Sequence, residues 1–149
     1  MKRMALRRQP STRPAMPLRL GARVPAPPGV RTSLGQLFGA SAAEEILDHV
    51  SVVEYSLFAR LHVGAIATTR RRHIFLRGSA ADFFADPALM LHEYYHVLRQ
   101  WEPGTLTTLR YLGQWLRCGY WDNPFEIEAR EFTEDNLLRF RALLSRTWS

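Results

Sequence analysis

The chain has 149 residues, 46% of them hydrophobic, enough to bury one core but leaving little material for a second domain. Its formal charge of +6 suggests affinity for nucleic acid or a membrane surface only until the charge is located. Eight of the 20 basic residues, Lys2, Arg3, Arg7, Arg8, Arg13, Arg19, Arg23 and Arg31, precede the first acidic residue, so the other 12 stand against all 14 acidic residues and the remainder sits near −2.

Residues 1–32 also hold Pro10, Pro14, Pro17, Pro25, Pro27 and Pro28 and show no apolar periodicity, so they are predicted to form a disordered basic tail preceding one folded domain, residues 33–149. Such a tail suits an electrostatic anchor for nucleic acid or anionic lipid, or an arginine-rich targeting leader. It holds no apolar run of secretory length, and no stretch of the chain reaches the roughly 18 uncharged residues of a membrane span. Cys118 is the single cysteine, which precludes an intramolecular disulfide; a protein of the reducing cytoplasm is the expectation. Cys118 itself reads as a small buried hydrophobe.

Helices are predicted over Ser33–Phe38 and Ser41–His49, the second with Ser41 as N-cap and Glu44 completing a capping box. The β-branched and aromatic content of Val52–Val63 and of residues 65–69 suggests strands, although Leu57–Leu61 also fits a helix. His73–Arg77 reads as a short strand between the basic turn Arg70-Arg71-Arg72 and Gly78. Asp86-Pro87 opens a further helix that Pro103-Gly104 closes, and Leu106–Leu116 is helical again. Pro124, with Asp122 or Asn123 as cap, starts the last helix, on which Phe125, Ala129, Phe132, Asn136, Leu137 and Phe140 mark a buried stripe. Helices with a few short strands make an α+β fold.

The chemistry concentrates in His92-Glu93-Tyr94-Tyr95-His96, set between the apolar runs Ala88–Leu91 and Val97-Leu98. Four residues apart on a helix, the two imidazoles share a face and can reach one metal ion. Glu93 is too near in sequence to complete the tetrahedron with both histidines, but it can take a proton from a metal-bound water. Zinc needs a third protein ligand. Downstream, Glu126 and Glu128 flank the stripe of the last helix on opposite sides, and either can point inward; Glu131 reads as a surface carboxylate. Tyr94 and Tyr95 occupy other faces of the ligand helix and read as packing residues.

His92-Glu93-Tyr94-Tyr95-His96, followed by Glu126-Ile127-Glu128-Ala129, resembles the two-part signature of gluzincin-type zinc metallopeptidases. Asp86–Glu93 and Gly119–Glu126 are similar to small bacterial metallopeptidase domains, including core-like domains of contractile-injection and toxin-associated proteins; the likeness spans residues 50–140. It implies a zincin-like minimal domain, mostly helical, with a small sheet or hairpin beside the His92–His96 helix. It also implies Zn2+ held by His92, His96 and Glu126, with Glu128 in reserve. Arg130 stands where many members of that group carry an aspartate that orients a ligand histidine, and the segment between His96 and Glu126 holds an extra helix.

The expected function is therefore zinc-dependent hydrolysis of a peptide or protein, with Glu93 as general base and Tyr111, Tyr120, His73 or Arg110 as candidate donors to the oxyanion. The resemblance also implies that the strand His73–Arg77 can serve as the edge on which extended substrate pairs. A metal-binding interaction or regulatory module without turnover is the first alternative, and nucleic-acid binding through the basic tail is the second.

Overall fold

Asp86-Pro87 starts the central helix of the computed structural model, which describes residues 20–61 and 66–147. Helix and strand labels run in chain order: β1 Arg23–Pro25, α1 Pro28–Phe38, α2 Ala40–Leu47, β2 Ser51–Val53, α3 Leu57–Leu61, β3 Ala67–Arg70, β4 His73–Leu76, α4 Ala80–Phe84, α5 Pro87–Tyr95, α6 Thr108–Cys118 and α7 Pro124–Thr147. At the head of α5, the Asp86 carboxylate accepts from the backbone N–H groups of Ala88 and Leu89, both at 3.1 Å. Helix α5 then widens without a break into a π-helical segment, His96–Trp101, where the Glu102 N–H reaches back five residues to the Val97 carbonyl at 3.0 Å.

Met90, Leu91, Tyr94 and Val97 line the buried side of this rod, which packs against α7. Asn123, not Asp122, caps α7: its Oδ1 accepts from the Phe125 N–H at 3.1 Å. The buried stripe of α7 is Glu126, Ala129, Thr133, Phe140 and Leu144, rotated from the one that apolar residues alone predict. Polar side chains enter this core because they are satisfied there. Thr133 Oγ1 donates to the Ala129 carbonyl at 2.7 Å, and Phe132 lies at the stripe's edge between Phe38 and Tyr95, with ring centroids 5.0 and 4.8 Å away.

The sheet is four-stranded and mixed, in the order β1-β2-β4-β3. β1 runs antiparallel to β2, β2 parallel to β4, and β4 antiparallel to β3 through the Arg71-Arg72 turn. Helix α3 and strand β3 fill the crossover that the parallel pair requires. The fold is thus α+β, mostly helical, with the small sheet beside α5.

Four expectations change. Residues 20–32 are not tail: Pro25 ends an edge strand that needs no donor there, and Pro28 occupies the first turn of α1, both places where proline is tolerated. Lys2, Arg3, Arg7, Arg8, Arg13 and Arg19 lie outside the described residues, whereas Arg23 stands in β1 and Arg31 is paired with Asp48. Ser41 is inside α2 and Gly39 takes the N-cap position. Among the described residues of the long strand expected over Val52–Val63, only the beginning pairs, and Leu57–Leu61 is the helical alternative. Finally, β4 is interior to the sheet, and β3 is the edge facing α5.

Candidate metal centre

Helices α5 and α7 bring His92, His96 and Glu126 together at the start of the π segment. His92 Nε2 lies 3.1 Å from Glu126 Oε2 and 3.2 Å from His96 Nε2, and His96 Nε2 lies 3.4 Å from the same carboxylate oxygen. Glu126 is 4% exposed and His96 5% exposed, so neither has bulk water to satisfy it. Glu128 does not join them: it is exposed and accepts from Gln100 Nε2 at 3.0 Å. Glu131 is exposed as well.

Gln100 orients His96. Its Oε1 lies 2.7 Å from His96 Nδ1, while its Nε2 donates to the Phe125 carbonyl and to Glu128, both at 3.0 Å. Two acceptors on the nitrogen side settle which way the amide points. The oxygen must then receive the His96 Nδ1–H, which leaves a lone pair on Nε2 of the neutral ring. That lone pair faces His92 and the Glu126 carboxylate. His92 Nε2 and Glu126 Oε2 close on the same point, an arrangement suited to a shared proton or a metal ion.

The spacing also suits a metal ion. For metal–ligand bonds of about 2.0–2.1 Å, tetrahedral geometry sets neighbouring ligand atoms about 3.3 Å apart. The three observed separations, 3.1, 3.2 and 3.4 Å, are the edges of one such face. Two imidazoles and one carboxylate are also the donor set of hydrolytic zinc, which leaves a fourth position for water. Among the described residues, these three form the one His/Cys/Asp/Glu group spaced to hold a metal.

No known protein family, no curated protein and no solved structure matches the chain.

Glu93, 5% exposed, accepts a 2.5 Å hydrogen bond from Thr69 Oγ1 on the edge strand β3. Tyr111 on α6 donates to Glu126 Oε1 at 2.9 Å, and the Tyr120 hydroxyl faces the same carboxylate. Burial, then the Glu126 charge, push both phenols well above their ordinary value, so they are protonated donors at neutral pH. Burial works against ionisation of Glu126, but its contacts with His92 and His96 outweigh it and hold the carboxyl well below the usual range. Burial likewise opposes protonation of His96, yet Glu126, with help from Glu93 and Gln100, raises its pKa.

Of the four candidate oxyanion donors, the fold gathers Tyr111 and Tyr120. His73 stacks on Phe75 within β4, 5.9 Å between centroids, and Arg110 is exposed and donates to the Thr105 carbonyl at 2.9 Å. Tyr94 is fully buried and packs near Phe83, and Tyr95 packs on Phe132. Cys118 is half-buried, with Sγ against the Gln114 carbonyl. Sequence reasoning missed Gln100 and Thr69. Gln100 carried a usable signal, since it continues the four-residue step of His92 and His96 along the same face; Thr69 carried none.

Proposed function

We propose that this chain is a zinc-dependent peptidase whose metal ligands are His92, His96 and Glu126. The observation that supports it most is the convergence of those three side chains, with ligand atoms 3.1–3.4 Å apart and the buried Glu93 carboxylate beside them. A zinc ion there would supply Lewis acidity, bringing the pKa of a water down towards about 7 and polarising the scissile carbonyl.

Glu93 would accept the proton of the attacking water and return it to the leaving amine, with Thr69 fixing the carboxylate's orientation. Tyr111 and Tyr120 hold protons aimed at Glu126, and a small swing would present either hydroxyl to the developing oxyanion. Strand β3, a sheet edge that carries Thr69 to the site, would pair with an extended peptide through main-chain hydrogen bonds.

The test is a set of three variants assayed for metal content and for cleavage of an unstructured protein. Glu93→Gln should keep zinc and lose activity by about 10²–10⁴-fold. Glu126→Gln should lose zinc, and Glu128→Gln should retain it. A folded wild-type protein with no zinc affinity would remove the proposal. Zinc binding with no cleavage in the wild type would leave the alternative of a metal-binding module without turnover.

A further inference from the structure

Helix α6 contains no buried residue. Leu109 and Leu116 are 83% and 77% exposed, and Leu112 and Trp115, also exposed, complete one apolar stripe at helical spacing. Trp121, just past the helix, is 72% exposed and carries Arg130 over its ring. Arg110 and Arg117 are both exposed and, seven residues apart, lie side by side on the neighbouring face. Residues 103–121 hold these two arginines and no acidic residue. On the opposite side, Tyr111 ties the helix to Glu126.

A stripe of leucine and tryptophan with an arginine flank, low in overall hydrophobicity, is the composition of helices that lie in the plane of a lipid interface. Leu109 borders a cleft shared with Arg71, Arg72, His73 and Trp101, whereas Leu112, Trp115 and Leu116 lie outside its lining, so most of the stripe is not part of a groove for a peptide. Charge decides between the remaining occupants. A two-fold pairing with a second copy through this face would set Arg110 and Arg117 close to their own duplicates, a like-charge arrangement that opposes association. An anionic bilayer complements both the leucines and the arginines. Six further basic residues between Lys2 and Arg19, with no acidic one among them, lie outside the described residues and add only to the chain's overall positive charge.

We infer that α6 is a membrane-docking helix, which inserts Leu109, Leu112, Trp115 and Leu116 into the surface of an anionic bilayer while Arg110 and Arg117 meet the headgroups. This stands apart from the metal reading. Only its corollary, that the substrate is a segment presented at the lipid surface, rests on the peptidase proposal.

The full chain is titrated with phosphatidylcholine vesicles, with and without phosphatidylglycerol, and followed by tryptophan emission and co-sedimentation. Binding is expected only with phosphatidylglycerol, weakening as salt is added, with a blue shift in emission. Leu109→Glu with Leu116→Glu should weaken it at least about ten-fold, and Arg110→Gln and Arg117→Gln about five-fold each. Circular dichroism should show the fold retained in all of them, because these side chains are solvent-exposed. The proposal is overturned if the wild type ignores phosphatidylglycerol vesicles. It is equally overturned if the double glutamate variant binds them as well as the wild type, which would assign the affinity to the amino-terminal charges. A dimer in lipid-free buffer that the glutamates dissociate would assign the stripe to a second copy.

Discussion

Gln100 takes over a task that the resemblance to gluzincins assigns to an aspartate at the position of Arg130. Arg130 instead donates to the Trp121 carbonyl and stacks over that ring, 5.3 Å from its centroid. An amide differs from a carboxylate in leaving no charge behind His96, so it fixes the tautomer without making the imidazole much more basic. Replacing Gln100 with leucine keeps the volume but frees the ring and removes the amide's bonds to the Phe125 carbonyl and Glu128. Zinc affinity should fall about 10–100-fold, measured by competition with a chromophoric chelator. Gln100→Glu should recover part of it, since an acceptor for Nδ1–H returns even as the new charge meets Glu128. If leucine binds zinc as tightly as glutamine, the orienting role is wrong. At this scale the histidine pair and Glu93 were legible because a helix repeats locally. Thr69 was not, since its bond to Glu93 spans 24 residues of chain.

Elements hold the site through their ends. Arg72, in the turn between β3 and β4, makes a two-pronged ion pair with Glu102 just past the π segment, at 2.6 and 3.0 Å. This pair fastens the edge strand that carries Thr69 to the helix that carries Glu93. The Arg72 hydrogen bond holds the Glu102 carboxyl below its ordinary value. Because the folded pKa is depressed, the pair's contribution is complete above the unfolded glutamate's value of about 4.3 and disappears as pH falls through the folded one. Both partners are partly exposed, so solvent screening limits the contribution to roughly 0.5–1 kcal/mol. Urea denaturation should therefore show Glu102→Gln less stable than wild type near neutral pH and indistinguishable from it in strong acid. A gap that does not change with pH would count against the pair. The turn's basic residues were visible in the sequence, but the partner of Arg72 lies 30 residues away and only the packed sheet supplies it.

For the whole molecule, the candidate centre is a cross-link. His92 and His96 belong to α5 and the residue after it, Glu126 to α7, and those two rods share the core. An ion bound at all three ties together parts of the chain that meet only in the folded state, so metal binding is folding free energy. With free zinc at about 100 times its dissociation constant, stability should rise by about 2.7 kcal/mol, reversed by chelator. Glu126→Gln should show no such gain. A stability that zinc leaves unchanged in the wild type would contradict a site formed only by folding. Among the described residues, no helix is long and apolar enough to cross a membrane.

Local chemistry was decided by sequence alone: the Asp86-Pro87 start, the paired histidines with their glutamate, and the start of the last helix at Pro124 all follow from neighbours within a turn or two. Tertiary structure decided which carboxylate faces the imidazoles. Apolar residues by themselves put α7 in a rotation that left Glu126 and Glu128 equivalent, and only packing against α5 buries the first and leaves the second behind Gln100. Packing likewise put β3 rather than β4 at the sheet edge and drew residues 20–32 into the fold. Strand order and helix rotation are set by contacts between distant segments, and no local period in a sequence encodes those.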